Sequence, residues 1–348
     1  MSGLKKEKYG SVSILGGRKM VKKIMNDPKN IVDEMLEGFV FAHKELQWFK
    51  EYRTVAMKKR KEKVGLVALG GSGHEPAHAG YIGEGMLDAV AVGNLFASPS
   101  PDQILKAIEE ANTGRGVLVI LKNYSGDLMN FSIAKELAEE ESIRVESVVV
   151  KDDVAVQDST YSTGRRGIAG TVFVHKIAGA RAAEGAELEE VKAVAQKAID
   201  HIRSLGISLG TCILPGLKKP GFYIGEDEIE LGMGIHGEPG IRKMELKSSD
   251  ELAEIMLNRI LEDLDYRKRE VAVLINGLGG TPQMELYVLA ASLKKVFEKE
   301  EVVTYKVMVG NYMTSLEMAG CSVSLMELDE ELKRLLDRPC MTPALCVE

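Results

Sequence analysis

The feature that most constrains this chain is a recurring pattern: a short apolar run, a loop of glycine and polar residues, then a stretch with helical periodicity. Val64–Leu69 runs straight into Gly70-Gly71-Ser72-Gly73, and Val117–Leu121 is closed by Lys122-Asn123-Tyr124-Ser125-Gly126-Asp127. Short apolar runs bounded by turn residues suit strands buried on both faces, which need helices on either side of their sheet. The intervening segments supply those helices. Ser100-Pro101-Asp102 has the form of an N-cap followed by proline at the first helical position, and it leads into Ile104, Leu105 and Ile108. Asp27-Pro28 has the same form ahead of Ile31, Val32, Met35, Leu36 and Phe39. Leu128, Phe131 and Leu137 mark a further helix before the strand Val145–Val150. This alternation predicts βαβ units and a largely parallel sheet.

A charged helix is expected over Ala186–Leu205, and the boundary between two α/β domains, 1–190 and 191–348, is placed in it. Strands are expected beyond it at Ile207–Leu214, Glu228–Ile235, Val271–Ile275, Val302–Val309 and Val323–Leu328. Helices over Asp250–Leu264 and Pro282–Lys299 separate some of them, so the second domain reads as α/β with a mixed sheet. Two domains also suit a length of 348 residues.

Composition narrows the function. With 45% apolar residues the chain can bury sizeable cores. A net charge of -7 argues against a nucleic-acid partner, and the basic run Lys58–Lys63 reads as a solvated loop or helix end. Met1–Lys8 is polar and basic with no apolar stretch behind it, and no run is long enough to span a membrane. Cys212, Cys321, Cys340 and Cys346 lack CxxC spacing and read as free thiols. The expectation is a soluble cytoplasmic protein with neither a nucleic-acid nor a membrane partner.

Ligands of α/β folds bind where strands end in loops. Four loops here combine glycine with polar groups: Gly70–His78, Lys122–Asp127, Gly232–Gly240 and Gly277–Pro282. His74-Glu75-Pro76-Ala77-His78 matches HExxH, but that zinc motif needs both histidines one turn apart on a helix. Pro76 can open a helix but not sit inside one, which leaves His74 in the loop, and no third ligand presents itself. No metal site is therefore expected. G-x-x-x-x-G-K-[ST] is absent, so no complete nucleotide site is expected either. Gly277–Pro282 reads as a tight turn with Thr281 as N-cap and Pro282 at the first helical position, and secondarily as a seat for an anion.

His236 is the most informative residue. It lies in Gly232-Met233-Gly234-Ile235-His236-Gly237-Glu238-Pro239-Gly240, where glycines leave room for a ligand to meet the ring. An imidazole is largely neutral and nucleophilic near pH 7. With Asp127 at the mouth of another strand and His74 at a third, the set suits chemistry on a carbonyl compound bearing hydroxyls. Whether the three converge is a matter for the fold.

Gly70-Gly71-Ser72-Gly73-His74-Glu75-Pro76-Ala77-His78-Ala79-Gly80-Tyr81-Ile82-Gly83 closely resembles the signature loop of the dihydroxyacetone (glycerone) kinases. Phe96–Asp102, Lys122–Asp127, Tyr161–Gly167, Gly234–Gly240, Thr314–Gly320 and Thr342–Leu345 follow in that family's order, so the resemblance covers the chain from about residue 20. It implies two α/β domains with largely parallel or mixed sheets flanked by helices, a homodimer, and a ketone site between the domains. The histidine matching His236 adds to the carbonyl of dihydroxyacetone to form a hemiaminal. By the same resemblance Asp127 is the base for the hydroxyl that receives phosphate, and His74 hydrogen-bonds the substrate and assists proton movement. Gly71, Ser72 and Lys122 lie against the ketone. Members with their own ATP-binding domain are much longer. A chain stopping at Glu348 implies a separate helical subunit carrying ADP or ATP with Mg²⁺, recharged in some bacteria by a phosphocarrier.

Three positions depart from the family pattern. Leu69 replaces the first of three glycines, Ser125 stands where threonine is common, and Met233 flanks the histidine loop. They leave the chemistry intact and the exact ketone open, erythrulose included. A paralogue that binds the ketone and regulates a partner is the alternative to a kinase subunit.

Overall fold

A computed structural model describes residues 22–157 and 164–348. Helix α1 (Ile31–Ala42) precedes strands β1 (Leu46–Phe49), β2 (Thr54–Met57), β3 (Gly65–Ser72) and β4 (Ala89–Leu95). Then come α2 (Pro101–Ala111), β5 (Val117–Lys122), α3 (Ser125–Glu140), β6 (Val145–Val150), α4 (Thr171–Ala183) and α5 (Leu188–Asp200). The first sheet has the order β1-β2-β4-β3-β5-β6. Its β4, β3, β5 and β6 run parallel, as expected, while β1 and β2 add an antiparallel edge.

The remaining elements are β7 (Ile202–Ser208), β8 (Glu228–Leu231), β9 (Arg242–Glu245), α6 (Ser249–Asp263), β10 (Glu270–Gly277) and α7 (Gln283–Lys299). They are followed by β11 (Val303–Gly310), β12 (Gly320–Glu327), α8 (Glu330–Asp337), β13 (Cys340–Met341) and β14 (Cys346–Val347). The second sheet, β11-β10-β12-β7-β8-β9, is mixed: β10 and β11 are parallel and the other pairs antiparallel.

Alternation along the strands builds a layered molecule. On one face of the first sheet Val67, Leu69, Val119 and Leu121 pack with Ile104, Ile108 and Phe131 of α2 and α3. Its other face, with Leu66, Ala68 and Ile120, shares a core with Phe173, Val191 and Leu335 of α4, α5 and α8. Leu274 and Met326 of the second sheet belong to that same core, so the three helices lie between the two sheets. The second sheet's outer face, with Val273, Ile275 and Leu325, is covered by α6 and α7. Helix α4 is buried nearly all round, which suits its central layer.

Several boundaries differ from the sequence reading. The helix expected over Ala186–Leu205 ends at Asp200, and Ile202–Ser208 instead pairs with β12. The strand expected over Ile207–Leu214 accordingly ends at Ser208. The strand expected over Glu228–Ile235 stops at Leu231, because Gly232 turns the chain at φ 80°. Asp27-Pro28 forms a turn, with Asn30 N–H donating to the Asp27 carbonyl, and α1 starts at Ile31. At the start of α2 the expectation holds: Ser100 and Gln103 form a capping box with Pro101 beside it. Thr281 is not a cap; its hydroxyl donates to the Gly320 carbonyl at 2.7 Å and accepts from Gly320 N–H, while Pro282 takes the N-cap position.

Candidate active site

The parallel strands β3, β4 and β5 end together, and their carboxyl-terminal loops supply most of the site. Within β3, Gly70 and Gly71 admit neighbours that any side chain would displace. A Cβ on Gly70 would stand 3.1 Å from Lys122 Nζ, and one on Gly71 would stand 2.6 Å from the backbone nitrogen of Ala97. Beyond β3 the chain turns through Gly73, at φ 99°, and delivers His74. This turn is stitched to the loop after β11: Leu316 N–H donates to the Gly73 carbonyl at 2.7 Å and Thr314 N–H to the His74 carbonyl at 3.1 Å.

His74 is fully buried. Its Nδ1 lies 2.8 Å from the Thr314 carbonyl oxygen, so Nδ1 carries the proton. Nε2 is left as a buried acceptor with no protein partner. Burial first, then the charges of Lys122 and His236, hold its pKa well below the ordinary value. A neutral imidazole with one unsatisfied acceptor can receive a hydroxyl from a small polar ligand.

His236 meets it. The two rings are edge-on with centroids 4.7 Å apart, Tyr124 approaches His236 at 4.7 Å and Phe96 at 5.4 Å. Nδ1 of His236 lies 2.8 Å from Oε1 of Glu238, and the His236 backbone N–H donates to Oε2 of the same carboxylate at 2.9 Å. A carboxylate only accepts, so Nδ1 carries the proton and the lone pair sits on Nε2. This is the tautomer a nucleophilic imidazole requires. Burial alone would raise the Glu238 carboxyl, but its hydrogen bond to His236 and the charge there bring it down to about 2.

Lys122 and Asp127 complete the cluster. Lys122, at the end of β5, is 1% exposed, and burial lowers its ammonium against the opposing charges of Asp127, Glu238 and Asp152. Asp127 sits in the first turn of α3, where burial raises its carboxyl against Lys122, the Ser98 hydroxyl and His236. The Ser98 hydroxyl donates to its Oδ1. The Ser72 hydroxyl is turned away, donating to the Gly93 carbonyl at 2.8 Å.

His236, His74, Asp127, Lys122 and the Gly71–Ser72 backbone therefore share one region. Tyr124, Phe96, Ser98 and Glu238 were quoted within motifs but given no role by sequence reasoning. For Glu238 a signal existed: an acid two residues after a candidate nucleophile is placed to orient it. The HExxH match dissolves, because His74 and His78 do not share a helix, and Nδ1 of His78 lies 3.0 Å from Nε2 of His175. No cluster able to hold a metal ion exists among the described residues. The Gly277–Pro282 loop is filled by protein, with Gly280 N–H donating to the Met318 carbonyl at 2.9 Å. Of the Tyr161–Gly167 motif, Tyr161, Ser162 and Thr163 lie outside the described residues, as does Met1–Lys8. Among the described residues no helix is long and apolar enough to cross a membrane.

The Dak1 domain model matches residues 37–344. A dihydroxyacetone-binding subunit, DhaK, of a PTS-dependent dihydroxyacetone kinase from Listeria innocua is 49% identical over 89% of this chain and 95% of its own length. The DhaK subunit of the PEP-dependent dihydroxyacetone kinase of Escherichia coli is 38% identical over 93% of this chain and 99% of its own. Among solved structures, the dihydroxyacetone kinase of C. freundii superposes with a TM-score of 0.88 at 34% identity, over 94% of this chain and 61% of that one. The dihydroxyacetone kinase operon co-activator DhaQ gives 0.84 at 36%, over 89% of this chain and 96% of that one.

Proposed function

The chain belongs to the Dak1 family, and from that membership we propose that it is the dihydroxyacetone-binding subunit of a dihydroxyacetone kinase, a phosphotransferase acting on an alcohol group. The observation that carries the reading is the His236–Glu238 pair: a carboxylate fixes the proton on Nδ1 and leaves the lone pair on Nε2, in a ring set edge-on to His74.

Nε2 of His236 adds to the ketone carbon. The C–N bond forms as the carbonyl π pair moves to oxygen, which takes one proton from solvent, so the alkylated ring is left as an imidazolium. The Nδ1 proton of the alkylated ring is shared with Glu238, whose charge balances it. Nothing leaves, so the hemiaminal contains the whole ketone. His74 Nε2 accepts a substrate hydroxyl, Lys122 and the Gly71–Ser72 backbone border the bound molecule, and Asp127 takes the proton of the hydroxyl that receives phosphate. Glycerol offers no electrophilic carbon, so covalent capture separates it from dihydroxyacetone by chemistry rather than fit. Capture also holds the hydroxyl for in-line transfer, where positioning is much of the catalysis.

The nucleotide, ADP or ATP with Mg²⁺, is carried by a separate helical subunit, recharged by a phosphocarrier in the manner that the relatives' names, PTS-dependent and PEP-dependent, support. Bound there, Mg²⁺ would offset the negative charge of the transferring phosphoryl. The protein works in the cytoplasm as a homodimer whose chains each comprise the units 1–190 and 191–348.

Native mass spectra test the reading. Dihydroxyacetone is expected to add its full mass to the protein, glycerol to add none, and His236→Ala to abolish the adduct. Asp127→Asn is expected to keep the adduct while losing phosphate-ester formation with the helical subunit. Absence of any adduct from dihydroxyacetone or erythrulose would sink the proposal. The likeness to a co-activator supports a second reading, a ketone-binding regulator, which would form the adduct without making phosphate ester.

A further inference from the structure

We propose that Arg166 is the positioning residue for His236, a buried guanidinium that anchors the root of the histidine loop and borders the carboxylate that orients the ring. The inference rests on reading His236 as the ketone-capturing group.

The loop that carries His236 is tied at its two ends, by Gly232 N–H on the Gly206 carbonyl at 2.7 Å and Gly240 N–H on Glu230 Oε1 at 2.8 Å. Between them only 3.1 Å turn bonds, from Gly234 N–H to the Glu238 carbonyl and from Gly237 N–H to the Gly234 carbonyl, join its backbone. Gly232 and Gly237 both take φ 80°, and Gly234 and Gly240 contribute no side chains. Such a segment has wide conformational freedom unless something outside restrains it. Capture of a carbonyl carbon requires Nε2 in near-attack geometry, where a displacement of about 1 Å costs about 100-fold.

Arg166 supplies the restraint from the first sheet's side of the molecule. Its Nε donates to Oδ2 of Asp153 at 2.9 Å, Nη2 lies 2.8 Å from the same oxygen, and Nη2 also donates to the Gly232 carbonyl at 2.7 Å. Gly232 is the residue at which β8 gives way to the loop. Nη1 reaches further along: it lies 2.6 Å from where a Cβ on Gly234 would stand, and Oε2 of Glu238 crowds that same point. Guanidinium and carboxylate thus share the space that a glycine leaves open. Asp153 is itself held, its Oδ1 accepting from Ala155 N–H at 2.9 Å. Arg166 and Asp153 are both buried, so the fork is shielded from water.

The adjacent arginine has a different job. Arg165 turns outward and grips Asp263, with Nη1 to Oδ1 at 3.0 Å and Nη2 to Oδ2 at 2.5 Å. The Arg-Arg pair left over from the Tyr161–Gly167 motif therefore divides into one surface tie and one loop anchor, and Arg165 is the matched control.

The test measures ketone half-saturation, by hemiaminal adduct and by phosphate-ester formation with the helical subunit, for the wild type, Arg166→Gln, Arg166→Lys and Arg165→Gln. Arg166→Gln is expected to raise half-saturation about 10-fold or more, with turnover at saturating ketone nearly kept. Lysine keeps the charge but not the fork, so Arg166→Lys should fall between. Arg165→Gln should match the wild type. A merely structural role would lower the fraction of competent sites and leave half-saturation alone, and that outcome overturns the proposal. Should Arg166→Gln fail to fold, Arg166→Lys decides, and an unchanged half-saturation there refutes it. A wild type that forms no adduct would instead remove the reading of His236.

Discussion

Replacing Glu238 with glutamine isolates what the carboxylate does for His236. Glu238 accepts two N–H groups from one residue, Nδ1 at 2.8 Å and the backbone nitrogen at 2.9 Å. Glutamine has one acceptor oxygen and one NH₂ group, so in either orientation one His236 N–H must face another donor. Loss of a charge-assisted hydrogen bond costs roughly 1.5–3 kcal/mol, which is about a 10- to 100-fold weaker hemiaminal. The carboxyl's descent from 4.5 to about 2 sets the separate effect on folding stability. At about 1.4 kcal/mol per unit that is roughly 3 kcal/mol. The Glu238 side chain is 31% exposed, and solvent screening reduces the figure by about half. The sign follows from linkage. A carboxyl whose pKa is depressed on folding adds stability that is fully present above pH 4.5 and is lost as pH falls through about 2. Adduct titration by native mass spectrometry and urea unfolding from pH 7 down to pH 2 measure both effects. Glu238→Gln should bind ketone 10- to 100-fold more weakly, about the factor above, and its stability deficit at pH 7 should shrink toward pH 2. Half-saturation equal to the wild type, or a stability gap independent of pH, would refute the reasoning.

Two other perturbations test the frame. Gly71→Ala would set a Cβ 2.6 Å from Ala97 N and 3.0 Å from Phe96 C, both backbone atoms, so the loop carrying Phe96 must move. A destabilisation of about 1–3 kcal/mol by thermal or urea unfolding, with loss of the ketone adduct, is expected. Lys176, buried in α4 with Nζ donating to the Leu335 carbonyl at 2.7 Å, has its ammonium lowered by burial to about 8 from 10.5. A lysine so depressed adds stability as pH rises from about 8 toward 10.5, on the order of 3 kcal/mol in all. Lys176→Met should flatten the rise relative to the wild type in urea unfolding across that window; parallel curves would contradict it.

The legible parts of the fold were those where two signals coincided. β5 was read nearly to the residue because its apolar run ends at Lys122, and α2 because its capping box also carries a proline. β3 was found, but it runs on through Gly70, Gly71 and Ser72, which read as loop because they lack apolar side chains. α4 passed unread because a helix buried on every side has no amphipathic period. The start of β7 was misread because Ile202 and Leu205 also fit a helical repeat, and only pairing with β12 decides between them. β9, with the sequence Arg-Lys-Met-Glu at an exposed edge, offers no apolar alternation to read. In the site, His236, His74 and Asp127 were legible as polar residues in strand-end loops. Their surroundings were not. Nothing in the spacing says that Thr314, 240 positions from His74, fixes its tautomer. Glu238 was within sight and lacked only the assumption that a nucleophilic ring needs an orienting partner.

The stitching of the β3 turn to the loop after β11 bears on how a ligand gets in and out. Hydrogen bonds from Thr314 N–H, Leu316 N–H, His74 Nδ1 and the Thr314 hydroxyl cross there, and a shared core lies between the two sheets. A clamshell motion of one sheet against the other would break these bonds and part that core. Entry and exit therefore cannot rely on parting the two sheets, and a ligand must reach His236 with this seam closed.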